Sequence, residues 1–286
     1  MPKLTDISYI KTLLGAFGFT FSKQLGQNFL IDPTVCPKMA DMCGAQGIGV
    51  IEIGPGIGVL TKELSAVAKK VVSIELDERL KPVLEITLKD CDNVKVIFGD
   101  AMKLDLRQII AEEFGDMEVV VCANLPYYIT SPIIMNLLES QLPIKSVTVM
   151  VQLEAAKRIT AECGTRECGA VTVAVRAYTE PQLLFRVNRG SFMPAPNVDS
   201  AVIKLDIKPS LDFGKVTAKD FSKTVRASFS QRRKQLANSL SSGLSIGKAD
   251  AISAIEKCGL SPTVRAEQLS LKDFVNISNV LFCEVE

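Results

Sequence analysis

Gly49-Val50-Ile51-Glu52-Ile53-Gly54-Pro55-Gly56-Ile57-Gly58 reads as a short buried strand that turns through three glycines. Residues 59–69 continue as a helical segment, so strand, glycine loop and helix follow in the order of a nucleotide-binding turn. Glycines in such a loop let a ligand approach the backbone closely. The spacing then discriminates between ligands. A dinucleotide fingerprint places glycine at the first, third and sixth positions, and the sixth position here is Val59. The glycines occupy the first, third and fifth positions instead, with Glu52 two residues ahead of them.

Outward from this turn, three more apolar runs end in polar residues. Residues 71–75 form a second strand ending in Glu75, 21 residues after Gly54. An acid at about that distance accepts hydrogen bonds from ribose hydroxyls in nucleotide-binding folds; a capping acid shared with Asp77 is the alternative. Residues 94–100 form a third strand ending in Asp100, where a capping role is again the alternative. Residues 118–123 form a fourth, ending at Asn124. Helical stretches separate the strands, and that alternation predicts an α/β fold with a parallel, Rossmann-like sheet covered by helices on both faces.

The fourth strand leads into Asn124-Leu125-Pro126-Tyr127. Ligands of open α/β sheets bind just past the carboxyl ends of the strands. Leu125 precedes a proline, which pushes its backbone to an extended conformation and lets its carbonyl point into a cleft. Pro126 holds its own φ fixed. Asn124 supplies a neutral side-chain acceptor and Tyr127 a flat π-face. Two acceptors set against the two N–H groups of an exocyclic nucleobase amine favour a pyramidal nitrogen with a localised lone pair. A stacked ring holds the base in line. The competing reading is a strand-to-helix turn with a packed tyrosine.

The composition excludes other chemistries. The 286 residues contain no histidine, which removes Ser/His/Asp and Cys/His nucleophilic catalysis. None of the eight cysteines forms a C-x-x-C pair, and Cys163 and Cys168 lack a second pair to complete a zinc site, so no metal is expected. The net charge is +1, and any charged partner must be met by a local patch. No apolar run approaches the roughly 18 residues of a membrane span. Lys3 and Lys11 are not followed by a continuous apolar segment, so no signal peptide is expected, and a cytoplasmic, monomeric protein is.

Further along, residues 130–139 and 152–162 read as helices and 146–151 as a strand, while residues 171–178 and 201–207 read as the closing strands. Between the last two lies a stiff segment with Phe192, Pro194 and Pro196; Phe192 is either held against a ligand or buried under a surface turn. Lys208-Pro209-Ser210 marks a boundary, dividing residues 1–208 from a small all-helical segment, 209–286. From 215 to 240 there are seven basic residues, among them Lys223, Arg226, Arg232, Arg233 and Lys234, against the single acid Asp220. Such an excess in a neutral protein reads as a phosphate-contacting, RNA-binding face, with a solvated helix face as the alternative.

Together these residues resemble a known family. The E-x-G-x-G-x-G turn is similar to that of S-adenosylmethionine-dependent methyltransferases. Adding residues 26–30, 75–77, 99–101, 124–127, 192–202 and 230–234, nearly the whole chain resembles the ribosomal RNA adenine N6,N6-dimethyltransferases of the bacterial KsgA/RsmA type. The resemblance implies a class I methyltransferase sheet with S-adenosylmethionine as methyl donor. It implies that Asn28 and Leu30 fold over the cofactor, that Gly54 lines its methionine and ribose side, and that Gly56 and Asn124 also contact it. Glu75 would bind the ribose hydroxyls and Asp100 the adenine. Asn124 and the Leu125 carbonyl would engage the target amine, with Tyr127 and Phe192 sandwiching the flipped base. The implied substrate is 16S rRNA in the 30S subunit or its precursor, dimethylated on two adjacent adenines near its 3′ end, late in assembly. Rival readings are a 23S rRNA adenine methyltransferase conferring macrolide resistance, a non-catalytic RNA-binding assembly factor, and a nicotinamide-dependent oxidoreductase. The last is weakened by Val59 and by the absence of histidine.

Overall fold

The computed structural model describes residues 3–19, 28–231 and 234–283. The candidate RNA contacts Arg232 and Arg233, and Gly26 and Gln27 of the N-terminal motif, lie outside the described residues. The chain divides into two compact units, 1–156 with 182–207, and 157–181 with 208–286.

The first unit carries a seven-stranded sheet built from β2 (Gly49–Ile53), β3 (Lys70–Glu75), β4 (Val94–Phe98), β5 (Val119–Asn124), β6 (Ser146–Gln152), β7 (Thr179–Val187) and β9 (Ser200–Ile207). Their order in the sheet is β4-β3-β2-β5-β6-β9-β7. The first five are mutually parallel, and β9 runs antiparallel to β6. The central strands are buried on both faces: residues 119–123 of β5 are all 2% exposed or less, as parallel sheets require when helices cover them. On one face α2 (Val35–Met42) and α3 (Val59–Val67) set Val35, Met39, Leu60 and Leu64 against Val50, Val71, Val120 and Met150.

A second, two-stranded ribbon pairs β1 (Phe29–Leu30) antiparallel with β8 (Phe192–Met193), aligning Phe29 with Met193 and Leu30 with Phe192. Two bonds anchor it: the Ile31 amide donates to the Ser191 carbonyl at 2.8 Å, and the Ser191 hydroxyl to Asp32 Oδ2 at 3.0 Å. Nothing in either segment's local pattern predicts this pairing across more than 160 residues.

One element differs from expectation. Residues 171–178, read from their valines as a closing strand, belong to helix α8 (Ala170–Tyr178), and the strand is the following β7. The helix begins where the Gly169 amide donates to Thr172 Oγ1, and that hydroxyl donates to the Arg158 carbonyl. Burial of Thr172, Val173, Val175, Ala177 and Tyr178 outweighs the modest helix penalty of β-branched residues.

The second unit differs from the contiguous 209–286 segment expected, because residues 157–181 cluster with the C-terminal helices. Tyr178 packs edge-on to Phe213 at 5.6 Å, and Phe213 against Phe221 at 4.8 Å. Helices α9 (Ala218–Ser228), α10 (Leu236–Leu244), α11 (Lys248–Lys257) and α12 (Leu271–Phe282) enclose Phe221, Leu240, Ile255 and Phe274. A Cβ at Gly243 would lie 2.7 Å from Ala227 Cα, so glycine permits the close crossing of α10 over α9.

Candidate active site

The carboxyl ends of β2, β3, β4 and β5 open on one cavity. All of the catalytic and cofactor residues expected from the sequence line it: Asn28, Leu30, Gly54, Gly56, Glu75, Asp100, Asn124, Leu125, Pro126, Tyr127 and Phe192. The glycine loop forms its floor. Gly54, Gly56 and Gly58 all hold positive φ (+73°, +58° and +88°), a region that side chains other than glycine rarely adopt. A Cβ at Gly54 would meet only the Asn124 carbonyl oxygen, at 4.0 Å, and one at Gly56 would press to 3.2 Å from the Phe29 ring. The loop therefore leaves a backbone-lined cradle facing residue 124.

Glu75 ties this cradle to the sheet. Its Oε2 accepts from the Gly56 amide at 3.2 Å and its Oε1 from the Asp77 amide at 2.8 Å. The capping alternative considered from sequence thus holds in part: Asp77, not Glu75, caps the following turn through the Arg79 amide. Each carboxylate oxygen keeps a further lone pair for a ligand hydroxyl. Burial raises the Glu75 carboxyl above its ordinary value, against the lowering effect of those two amides. Asp100 accepts from the Met102 amide at 2.9 Å, and its Oδ2 lies 3.7 Å from Lys103 Nζ. Hydroxyl and amine donors of an adenosyl group match these acceptors, so the donor set and the cradle fit S-adenosylmethionine.

Asn124 ends β5 half-buried, and among the described residues its side-chain amide makes no hydrogen bond. The Leu125 amide donates to the Met150 carbonyl at 3.3 Å, while its own carbonyl accepts no hydrogen bond among the described residues. The Leu125 side chain is 2% exposed and pins the turn in the core. Two acceptors are therefore left unsatisfied beside one cavity. Tyr127 opens a 3-10 turn (Tyr127–Ile129), and its hydroxyl shares a 2.7 Å hydrogen bond with Ser200 of β9. Burial pushes its phenol up, so the ring is neutral around pH 7. Phe192 is 3% exposed and packs in the same apolar cluster as Leu30, and so meets the cavity as a buried wall.

Sequence reasoning missed several lining residues. Phe29, Pro55, Ile57, Leu76 and Tyr128 all reach the cavity; the doubled tyrosine after Pro126 was the one legible signal. Glu52, beneath the glycine loop, is fully buried; its Oε2 accepts from the Ser73 hydroxyl at 2.7 Å, and among the described residues its Oε1 has no hydrogen-bond partner. Burial drives its carboxyl up from 4.5 to about 7. The folded protein holds this proton more tightly than the unfolded chain does. The resulting stability is complete below the unfolded value and is lost as pH rises through the folded one. Relative to Glu52→Gln, which cannot ionise, the wild type is expected to lose about 3 kcal/mol of stability between pH 4.5 and 7. Urea denaturation across that range measures it, and a pH-independent difference between the two proteins sinks the expectation.

Among the described residues no group of three or more cysteine and carboxylate side chains could hold a metal ion, and no helix is long and apolar enough to cross a membrane.

The model of the ribosomal RNA adenine dimethylase family matches residues 18–282. "Ribosomal RNA small subunit methyltransferase A" of Geobacillus thermodenitrificans is 47% identical over 276 residues, covering 95% of this chain and 94% of that protein. The protein of that name from Bacillus licheniformis is 45% identical with the same coverage. Among solved structures, a dimethyladenosine transferase from Plasmodium falciparum superposes with a TM-score of 0.71 at 26% identity, covering 87% of this chain and 95% of that one. The 23S rRNA methyltransferase ErmE shares the fold, with a TM-score of 0.65 at 24% identity, over 89% of this chain and 99% of its own.

Proposed function

Because the chain belongs to the ribosomal RNA adenine dimethylase family, we propose that the cavity beside Asn124 transfers methyl groups to two adjacent adenines near the 3′ end of small-subunit rRNA. The reaction is S-adenosylmethionine-dependent dimethylation of adenine N6 in ribosomal RNA. When bound, the cofactor supplies an electrophilic methyl on a sulfonium, so the protein's task is to position and polarise.

The observation that carries the reading is the pair of unsatisfied acceptors, the Asn124 amide oxygen and the Leu125 carbonyl, on the cavity that Gly54, Glu75 and Asp100 also line. Gly54, Gly56, Asn28 and Leu30 surround the cofactor, Glu75 accepts from its ribose and Asp100 from its adenine amine. In the first transfer Asn124 and Leu125 accept from the two N–H groups of the target amine, and in the second from the one N–H that remains; as the nitrogen becomes cationic these bonds strengthen, and the proton it then sheds leaves to solvent. By analogy with oxyanion donors, each is worth about 3 kcal/mol in the transition state. Orientation of the amine towards the methyl contributes roughly 7–11 kcal/mol. Drawing the adenine out of its stack costs a few kcal/mol, and contact with an aromatic ring at Tyr127 returns about 1–3. Phe192, buried in the cavity wall, is the proposed partner on the other face of the base.

The reading takes the protein to work as a monomer. The substrate in this reading is the 30S subunit or its precursor in the cytoplasm, late in assembly. Tritium transfer from labelled cofactor onto small subunits from a strain lacking its own enzyme tests it. Label on large-subunit RNA instead, or on neither, overturns it.

The basic face of α9 is the proposed RNA contact, and the sequence reading adds Arg232, Arg233 and Lys234 to it. Lys219, Lys223 and Arg226 are exposed there; Lys223 donates to Asp220 at 2.9 Å and lies 5.5 Å from the Phe282 ring. Lys223→Glu with Arg226→Glu is expected to weaken subunit binding and to reduce the slope of log affinity against log salt by about two. Cofactor affinity should stay the same. A parallel fall in both affinities would indicate damage to the fold and remove the assignment.

A further inference from the structure

Tyr128 has no role in the chemistry above, yet it lies on the same cavity. Among the described residues it is, at 58%, the most exposed of the large apolar and aromatic side chains, and it makes no hydrogen bond, ion pair or ring contact. Single exposed hydrophobic residues are ordinary on protein surfaces, so exposure alone decides nothing. Position and rigidity do. Tyr128 is the middle residue of the 3-10 turn Tyr127–Ile129, where successive side chains diverge by about a third of a turn. Tyr127 is held inward by Ser200, and Tyr128 therefore points towards solvent at the cavity mouth. The backbone beneath it is held: the Ile129 amide donates to the Pro126 carbonyl at 3.2 Å, the Thr130 hydroxyl donates to the same oxygen at 3.3 Å, and Thr130 is itself buried. An aromatic face is thus presented on a pre-organised turn next to the place proposed for the target base.

Resting on the preceding reading, we propose that Tyr128 is a stacking platform for the base adjoining the target adenine. The enzyme then grips two consecutive nucleotides of single-stranded RNA, one at Tyr127 and the next at Tyr128. Single strands are recognised in this way, with unstacked bases laid on successive aromatic side chains, and the contact tolerates any base because every base has a π-face. A second adenine fits it as well as any other purine. The first adenine's covalent neighbour has to leave the cavity through its mouth, and Tyr128 is the exposed ring found there.

The test pairs a protein variant with a substrate variant. Full-length wild type, Tyr128→Ala and Tyr128→Phe are assayed on small subunits carrying either the natural sequence or an abasic nucleotide beside the target adenine. Tyr128→Ala is expected to raise KM for the natural subunit roughly ten- to a hundredfold. Tyr128→Phe, which keeps the ring, should stay within twofold of wild type, and cofactor affinity should be unchanged in both. The abasic substrate should cost the wild type a similar factor and cost Tyr128→Ala nothing more. An unchanged KM for Tyr128→Ala overturns the inference, as does an abasic penalty that persists in full in that variant. Wild type that methylates no adenine at all removes the parent reading and this one with it; wild type that does, beside an indifferent Tyr128→Ala, removes only this one.

Discussion

Asn124→Ala is expected to fold, to bind S-adenosylmethionine as the wild type does, and to transfer methyl groups roughly 10²–10³-fold more slowly. The factor follows from losing one transition-state hydrogen bond in a sheltered site, worth about 3–4 kcal/mol. Folding should survive because the Asn124 side chain makes no hydrogen bond among the described residues, while its strand neighbours Val121, Cys122 and Ala123 carry the burial. The loss should fall in kcat rather than in KM, since the contact tightens only as charge develops on the nitrogen. Single-turnover transfer to small subunits, with cofactor affinity measured separately, distinguishes the two. Turnover near that of the wild type would remove residue 124 from the chemistry and with it the proposed mechanism.

The second large effect concerns Glu75. Its two oxygens hold the Gly56 and Asp77 amides, so its removal costs the cofactor its ribose acceptor and loosens the cradle at the same time. Hydrogen bonds to a charged group are worth about 1.5–3 kcal/mol each. Glu75→Ala is therefore expected to weaken S-adenosylmethionine binding by about 3 kcal/mol, on the order of a hundredfold. Calorimetric titration of the folded variant measures this directly. Glu75→Gln should fall between the two, because its amide keeps one acceptor but turns an NH₂ towards a backbone amide that needs an acceptor. An Ala variant that binds cofactor with wild-type affinity would confine Glu75 to holding the loop.

Much of the site was legible because its chemistry is local. Glu52–Gly58 must turn sharply after a buried strand, and Asn124–Tyr127 must leave another strand through a proline, so both announce themselves within a few residues. Residues 171–178 show the opposite case. Their valines favour a strand in isolation, and only burial of one helix face against neighbours distant in sequence reverses that preference. The division at residue 208 failed to foresee the company of 157–181 for the same reason, since nothing local says which core Tyr178 will join.

The chain's sequence alone determined its α/β class, the glycine turn, the acids closing β3 and β4, and the Asn-Leu-Pro-Tyr corner, because periodicity, φ restriction and residue chemistry act over short spans. Tertiary structure alone decided that Phe29–Leu30 would pair with Phe192–Met193, that Glu75 would grip Gly56, and that Tyr127 would turn inward to Ser200 while Tyr128 stayed in solvent. Those outcomes depend on which distant surfaces bury one another, and that free energy belongs to the packed core as a whole and to no single segment of it.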